Sequence, residues 1–146
     1  IEPVEARRAL AVAAGSVAVA PDEARAIVGE LTGGRGADGV IDAVGGAAGL
    51  DTALALVRAA GTVVSVGVPA TADWTMPVAD AFSREITISF AVGNLMRDAT
   101  VLEDLLSSGL VVPDGLLAHL TELDEAPAAY RSMQNRTTLK AVLLTR

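Results

Sequence analysis

Two runs, Gly39-Val40-Ile41-Asp42-Ala43-Val44 and Gly61-Thr62-Val63-Val64-Ser65-Val66-Gly67-Val68, are rich in β-branched and apolar residues at successive positions, so the strands they would form have no polar face. A strand buried on both faces belongs in a parallel sheet with helices above and below it, and parallel neighbours need a crossover between them. The flanking segments supply such crossovers. Residues 4–14 carry Ala, Leu and Arg with a 3.6-residue period and end at Gly15, a C-cap glycine. Pro21-Asp22-Glu23 opens a second helix that Gly33-Gly34 closes, and residues 50–59 read as a third. Residues 16–20 read as a short strand, 78–82 as a short helix, and 85–92 as a strand whose partial alternation suits a sheet edge. Helices at 101–108 and 124–134 and a last strand at 139–144 complete the chain. The expected fold class is α/β, a doubly wound and mostly parallel sheet followed by a C-terminal helix-strand segment.

Composition narrows the chemistry. With 51% hydrophobic and 20% charged residues, the 146-residue chain has the profile of a globular domain with a generous core. Eleven Lys and Arg against 18 Asp and Glu leave a net charge of −7, which argues against a surface built for nucleic-acid phosphates or anionic lipid. There is no cysteine and a single histidine, His119, so disulfides, a cysteine nucleophile and the usual sulfur-imidazole zinc site are all out of reach. His119 itself reads as a core or surface residue. No apolar stretch reaches the ~20 residues that cross a bilayer, and the opening IEPVEARRALAVAAG lacks the order of a signal peptide. The expectation is a soluble, cytoplasmic protein, or a fragment of one that starts as though cut from something longer.

The glycines carry most of the functional signal. Gly34-Arg35-Gly36-Ala37-Asp38-Gly39 satisfies G-x-G-x-x-G by letter, yet a helix precedes it and a strand follows, the reverse of the order that aims a helix N-terminus at a pyrophosphate. A helix-to-strand turn is the better reading. Gly45-Gly46 and Gly67 instead lie at the carboxyl ends of expected parallel strands, where ligands of open α/β sheets bind. A tight turn into the next helix would explain Gly45-Gly46 equally well. If Ile1 ends a strand, Glu2 stands where an acid accepts bonds from both hydroxyls of an adenosine ribose and repels a 2′-phosphate by ~4 kcal/mol at 4 Å and an effective dielectric of 20. The alternative for Glu2 is an exposed acid at a chain start. Arg7 and Arg8 pull the other way, since a nearby arginine could host that phosphate.

Taken in order, GADGVIDAVGG, GTVVSVGVP, ITISFAVG, LLSSGLV, LDEAPAAYRSM and LKAVLL closely resemble the distal part of the zinc-dependent medium-chain alcohol dehydrogenases, over essentially the whole chain. The resemblance implies a partial Rossmann-type fold: residues 1–92 as the distal part of a dinucleotide-binding domain, and 93–146 as a segment returning to a catalytic domain. It implies NAD as cofactor, with NADP the alternative, and a small alcohol or carbonyl compound as substrate. Glu2 would bind the adenosine ribose with Arg7 near the same sugar. Ala43, Val44, Gly45 and Gly46 would pass over the adenosine and its ribose, and Val66, Gly67 and Val68 would touch the nicotinamide end. Ser89 and Ala91 would present backbone groups to the carboxamide, and Lys140 would reach the pyrophosphate or else be a solvated lysine. The family's zinc ligands, glycine fingerprint and proton relay belong upstream of Ile1, so zinc is expected in the parent protein only and no catalytic residue in this chain. The edge strand 85–92 would pair with its two-fold mate in a homo-oligomer. Two other readings stay open: a zinc-independent NADPH-dependent quinone or enone reductase of the same fold, and a non-catalytic nucleotide-binding or interaction module.

Overall fold

The computed structural model describes residues 1–68, 73–113 and 119–145. The chain divides into two compact units, Ile1–Asn94 and Leu95–Arg146. Residues 69–72, 114–118 and 146 lie outside the described residues.

In the first unit the order is α1 (Glu5–Ala13), α2 (Ala24–Leu31), β1 (Ala37–Asp42), α3 (Ala47–Leu56), β2 (Val57–Ser65), α4 (Val78–Ser83) and β3 (Thr87–Phe90). The three strands form one sheet in the order β1-β2-β3, all parallel. The class is α/β, as the apolar runs demanded. Register aligns Val40 with Val63 and Val63 with Ile88, so a row of branched side chains crosses one face of the sheet. Ala53 and Leu54 of α3 pack with Val57 and Val63 to make the buried centre, and Val40, Ile88, Ile86 and Trp74 close around it. The neighbouring row, Ile41, Val64 and Ser89, points to the other face, where Ile41 is 72% exposed in this chain.

Several boundaries differ from expectation. Residues 16–20 carry no strand ladder: the N–H of Glu2 donates to the Val19 carbonyl at 3.0 Å, and one such bond does not make a strand. Helix α3 starts three residues early, at Ala47, and stops at Leu56, because Val57 pairs with Ala37 and already belongs to β2. Strand β3 is shorter than 85–92: Glu85 sits at φ +56°, outside the extended region, so pairing starts at Thr87. Beyond Phe90 one bond persists, from the Ala91 N–H to the Ser65 carbonyl at 3.0 Å. The letter-perfect glycine pattern occupies the turn from α2 into β1, the helix-to-strand context that argued against it.

The second unit holds α5 (Leu95–Ser107), β4 (His119–Glu122), a 3-10 turn (Leu123–Glu125), α6 (Ala126–Gln134) and β5 (Ala141–Leu144). Helix α5 begins six residues before the expected 101, and β4 was not anticipated at all. β4 lies parallel to β5, His119 opposite Ala141 and Glu122 opposite Leu144. Four residues of mixed polarity show no period of their own; the partner strand defines them. No helix among the described residues is long and apolar enough to cross a membrane.

Candidate functional site

The site is built where β1 and β2 end. Both strands run the same way, so Ala43-Val44-Gly45-Gly46 and Val66-Gly67-Val68 emerge side by side at their carboxyl ends. Gly45 and Gly46 have φ of +77° and +85°, a backbone region that side chains with a Cβ rarely enter. Gly67 is required for space: a Cβ there would lie 2.2 Å from the Gly45 nitrogen and 2.5 Å from the Val44 carbonyl carbon. The two turns are therefore in direct backbone contact. Around that contact Val44 is 77% and Val68 is 86% exposed, so apolar side chains flank bare backbone at the mouth of the sheet.

Asp42, the last residue of β1, organises this edge. It is buried, as is Ser65, its register partner at the end of β2, and the Ser65 hydroxyl donates to the Asp42 carboxylate at 2.8 Å. The other carboxylate oxygen accepts the N–H of Val44 at 3.0 Å and of Gly45 at 3.1 Å. Burial pushes the Asp42 carboxyl up, but bonds from Ser65, Gly45 and Val44 outweigh it and leave the group below the ordinary aspartate value of 3.8. The Asp42 carbonyl in turn accepts the N–H groups of Val66 at 2.8 Å and Gly67 at 3.1 Å. Sequence reasoning passed over Asp42 and Ser65. The available signal was an acid and a hydroxyl inside two otherwise apolar runs.

The remaining candidates are not all at this edge. Ser89 pairs with Val64 inside the ladder rather than at its end, while Ala91 follows β3 beside Ser65. Glu2 makes its bonds within residues 2–19: its carboxylate accepts the Val4 N–H at 2.8 Å, and its carbonyl accepts Arg8. Arg8 also donates to the Pro3 carbonyl and so is occupied with backbone, whereas the Arg7 Nε is buried without a partner. Lys140 is exposed immediately before β5 in the second unit. A groove of about 420 Å³ lined by Met76, Val78, Ala81, Phe82, Glu85 and Ile86 lies at the amino end of β3, away from the glycine turns.

Bare glycine backbone between exposed valines at the carboxyl ends of parallel strands fits a flat, partly apolar ligand such as a dinucleotide. Zinc does not fit: the chain has no cysteine, and no group of His, Asp and Glu among the described residues is placed to hold a metal. Residues 1–108 match the sequence model of the zinc-binding dehydrogenases. The chain belongs to that family. Among relatives of the zinc-binding dehydrogenase chain, a probable zinc-binding alcohol dehydrogenase of Mycobacterium tuberculosis is 37% identical over 117 residues, covering 80% of this chain and 30% of the relative. A probable D-xylulose reductase A of Aspergillus clavatus is 31% identical over 112 residues, again 30% of its own length. The chain thus spans about a third of the length of these relatives. Among solved structures, an alcohol dehydrogenase from Thermus sp. ATN1 superposes with a TM-score of 0.94 at 29% identity, over 99% of this chain and 43% of that one. The alcohol dehydrogenase of Aeropyrum pernix superposes at 0.82 with 25% identity, covering 99% and 41%.

Proposed function

We propose that this chain is the distal nucleotide-binding part of an NAD-linked, cytoplasmic alcohol dehydrogenase that moves a hydride between the nicotinamide and a small alcohol or its carbonyl counterpart. The observation that carries the reading is the backbone apposition of Gly45 and Gly67 at the carboxyl ends of β1 and β2, in a chain of the zinc-binding dehydrogenase family. In this reading residues 1–92 complete the nucleotide domain and 93–146 return to the catalytic domain.

The cofactor, when bound, supplies the hydride acceptor and donor. The residues of this chain bind and orient it. Glu2 accepts from the adenosine ribose hydroxyls with Arg7 beside the same sugar, and Ala43, Val44, Gly45 and Gly46 cover the adenosine. Val66, Gly67 and Val68 line the nicotinamide end, Ser89 and Ala91 offer backbone groups to its carboxamide, and Lys140 neutralises pyrophosphate charge. No zinc ligand is assigned to this chain; zinc belongs to the rest of the parent.

The test is a pair of assays with NAD and a panel of small primary and secondary alcohols. The full-length polypeptide should oxidise at least one of them in a chelator-sensitive reaction, and residues 1–146 alone should oxidise none. Turnover by the isolated chain would refute the division of labour. Chelator-insensitive reduction of quinones or enones with NADPH by the full-length protein would favour the reductase reading instead.

A further inference from the structure

We propose that Asp42 is a positioning residue for the dinucleotide, a role that rests on the reading above. Among the described residues no backbone hydrogen bond runs directly between the two turns assigned to the cofactor. They are held through Asp42: its carboxylate accepts the N–H groups of Val44 and Gly45, and its carbonyl those of Val66 and Gly67. One residue therefore bonds two backbone N–H groups from each turn, and all four belong to residues assigned to the nucleotide surface. The second carboxylate oxygen is tied to Ser65, the next residue across the sheet. The carboxylate has little freedom to leave this arrangement, because α3 passes directly over it: a Cβ on Gly49 would stand 2.4 Å from one Asp42 oxygen and 3.0 Å from its carboxyl carbon. Gly49 lies in the first turn of α3, where alanine is the better helix former, so the glycine yields helix propensity to make room for the carboxylate. With the Val44 and Gly45 N–H groups turned inward, the turn is drawn against Gly67, and the height of that shelf sets how closely a flat ligand approaches the backbone.

Three variants of the full-length polypeptide test this. Asp42→Ala removes the side-chain bonds to Val44, Gly45 and Ser65, and should raise the KM for NAD about tenfold, the order expected for lost bonds to a charged group, while kcat at saturating NAD changes far less. Asp42→Asn keeps an oxygen for the two N–H groups and an amide that can donate to the Ser65 hydroxyl; it should recover most of the NAD affinity. Gly49→Ala keeps the Asp42 side chain but pushes its carboxylate off the Val44 and Gly45 N–H groups, so it should also raise the KM for NAD. That result separates positioning from fold stability, and it decides the matter if Asp42→Ala does not fold. Direct titration of the wild-type protein with NAD and with ADP-ribose comes first. If wild type binds neither these nor NADPH, the nucleotide reading falls and this inference with it. If wild type binds and a folded Asp42→Ala or Gly49→Ala variant keeps the wild-type KM for its cofactor, the positioning role alone is overturned.

Discussion

Gly67 lies so close to Gly45 that a single added methyl group on the former would stand 2.2 Å from the backbone nitrogen of the latter. Gly67→Ala must therefore part the two turns, which the Asp42 carbonyl and carboxylate hold together. The expected loss is about 3 kcal/mol of stability, the upper end for forced overpacking, together with most of the NAD affinity. Gly29→Ala is the contrasting change: it lies within α2, and a Cβ there meets nothing within 4 Å. It should stabilise the chain by up to ~1 kcal/mol through helix propensity. Urea midpoints of the two variants check both directions.

Arg84 joins elements that are far apart in sequence. Its guanidinium donates to the carbonyls of Leu54 and Val57, each at 3.0 Å, and to the Asp80 carboxylate at 2.7 Å. The two carbonyls mark the junction where α3 gives way to β2 without an intervening turn. Arg84→Ala should cost ~2 kcal/mol, mostly from orphaned carbonyls, whereas Asp80→Ala should cost under ~1 kcal/mol because it removes only a partly exposed ion pair. Equal losses in the two variants would show that the ion pair, rather than the carbonyl bonds, carries the effect.

Acid should weaken the fold through Asp42. Its carboxyl is held below the ordinary value of 3.8, so its stabilising contribution is present above that value and is lost as the pH falls through the lower folded one. Asp42→Asn should be ~1–2 kcal/mol less stable at pH 7, and the gap should close as the pH drops below about 4. Asp38, drawn down by the Arg58 guanidinium bonded to it, adds the same acid dependence to both proteins. Denaturation at several pH values between 7 and 3 reads the difference, and a constant gap across that range contradicts the assignment.

Glu2 should govern cofactor choice. Its carboxylate accepts the Val4 N–H at the start of α1, and the proposed complex assigns the same carboxylate to the adenosine ribose. In the full-length protein Glu2→Ser should narrow the preference for NAD over NADP about tenfold or more, since a like charge at 4 Å is removed. An unchanged ratio of kcat/KM values for the two cofactors would leave Glu2 with a structural role at the helix start.

The outer edge of β3, which no strand among the described residues covers, should pair with a second copy. The strand ends the sheet order β1-β2-β3, and Phe90 on it is exposed. An unpaired edge with an exposed aromatic favours strand addition, which a charge on the edge opposes. Phe90→Lys in the full-length protein should convert a dimer to a monomer by light scattering. A dimer mass that does not change places the interface elsewhere.

Sequence alone determined the class of the fold. The runs at 39–44 and 61–68 have no polar face, and strands apolar on both sides suit a parallel sheet with helical crossovers, even though the Ile41 face is open in this chain. Charge, the missing cysteines and the single histidine set the limits on chemistry, and the ordered motifs pointed to the family that residues 1–108 match. Tertiary pairing decided the rest. Strand β4 exists because β5 lies beside it, and residues 16–20 have no ladder because one bond from Glu2 cannot make one. Val57, placed in a helix by periodicity, belongs to β2 because Ala37 is its neighbour. Asp42 and Ser65 lie 23 residues apart, and only the parallel register of β1 and β2 brings the two side chains together. No local pattern encodes that meeting, because alignment between strands is set by the packing of the whole sheet against α3 rather than by either strand alone.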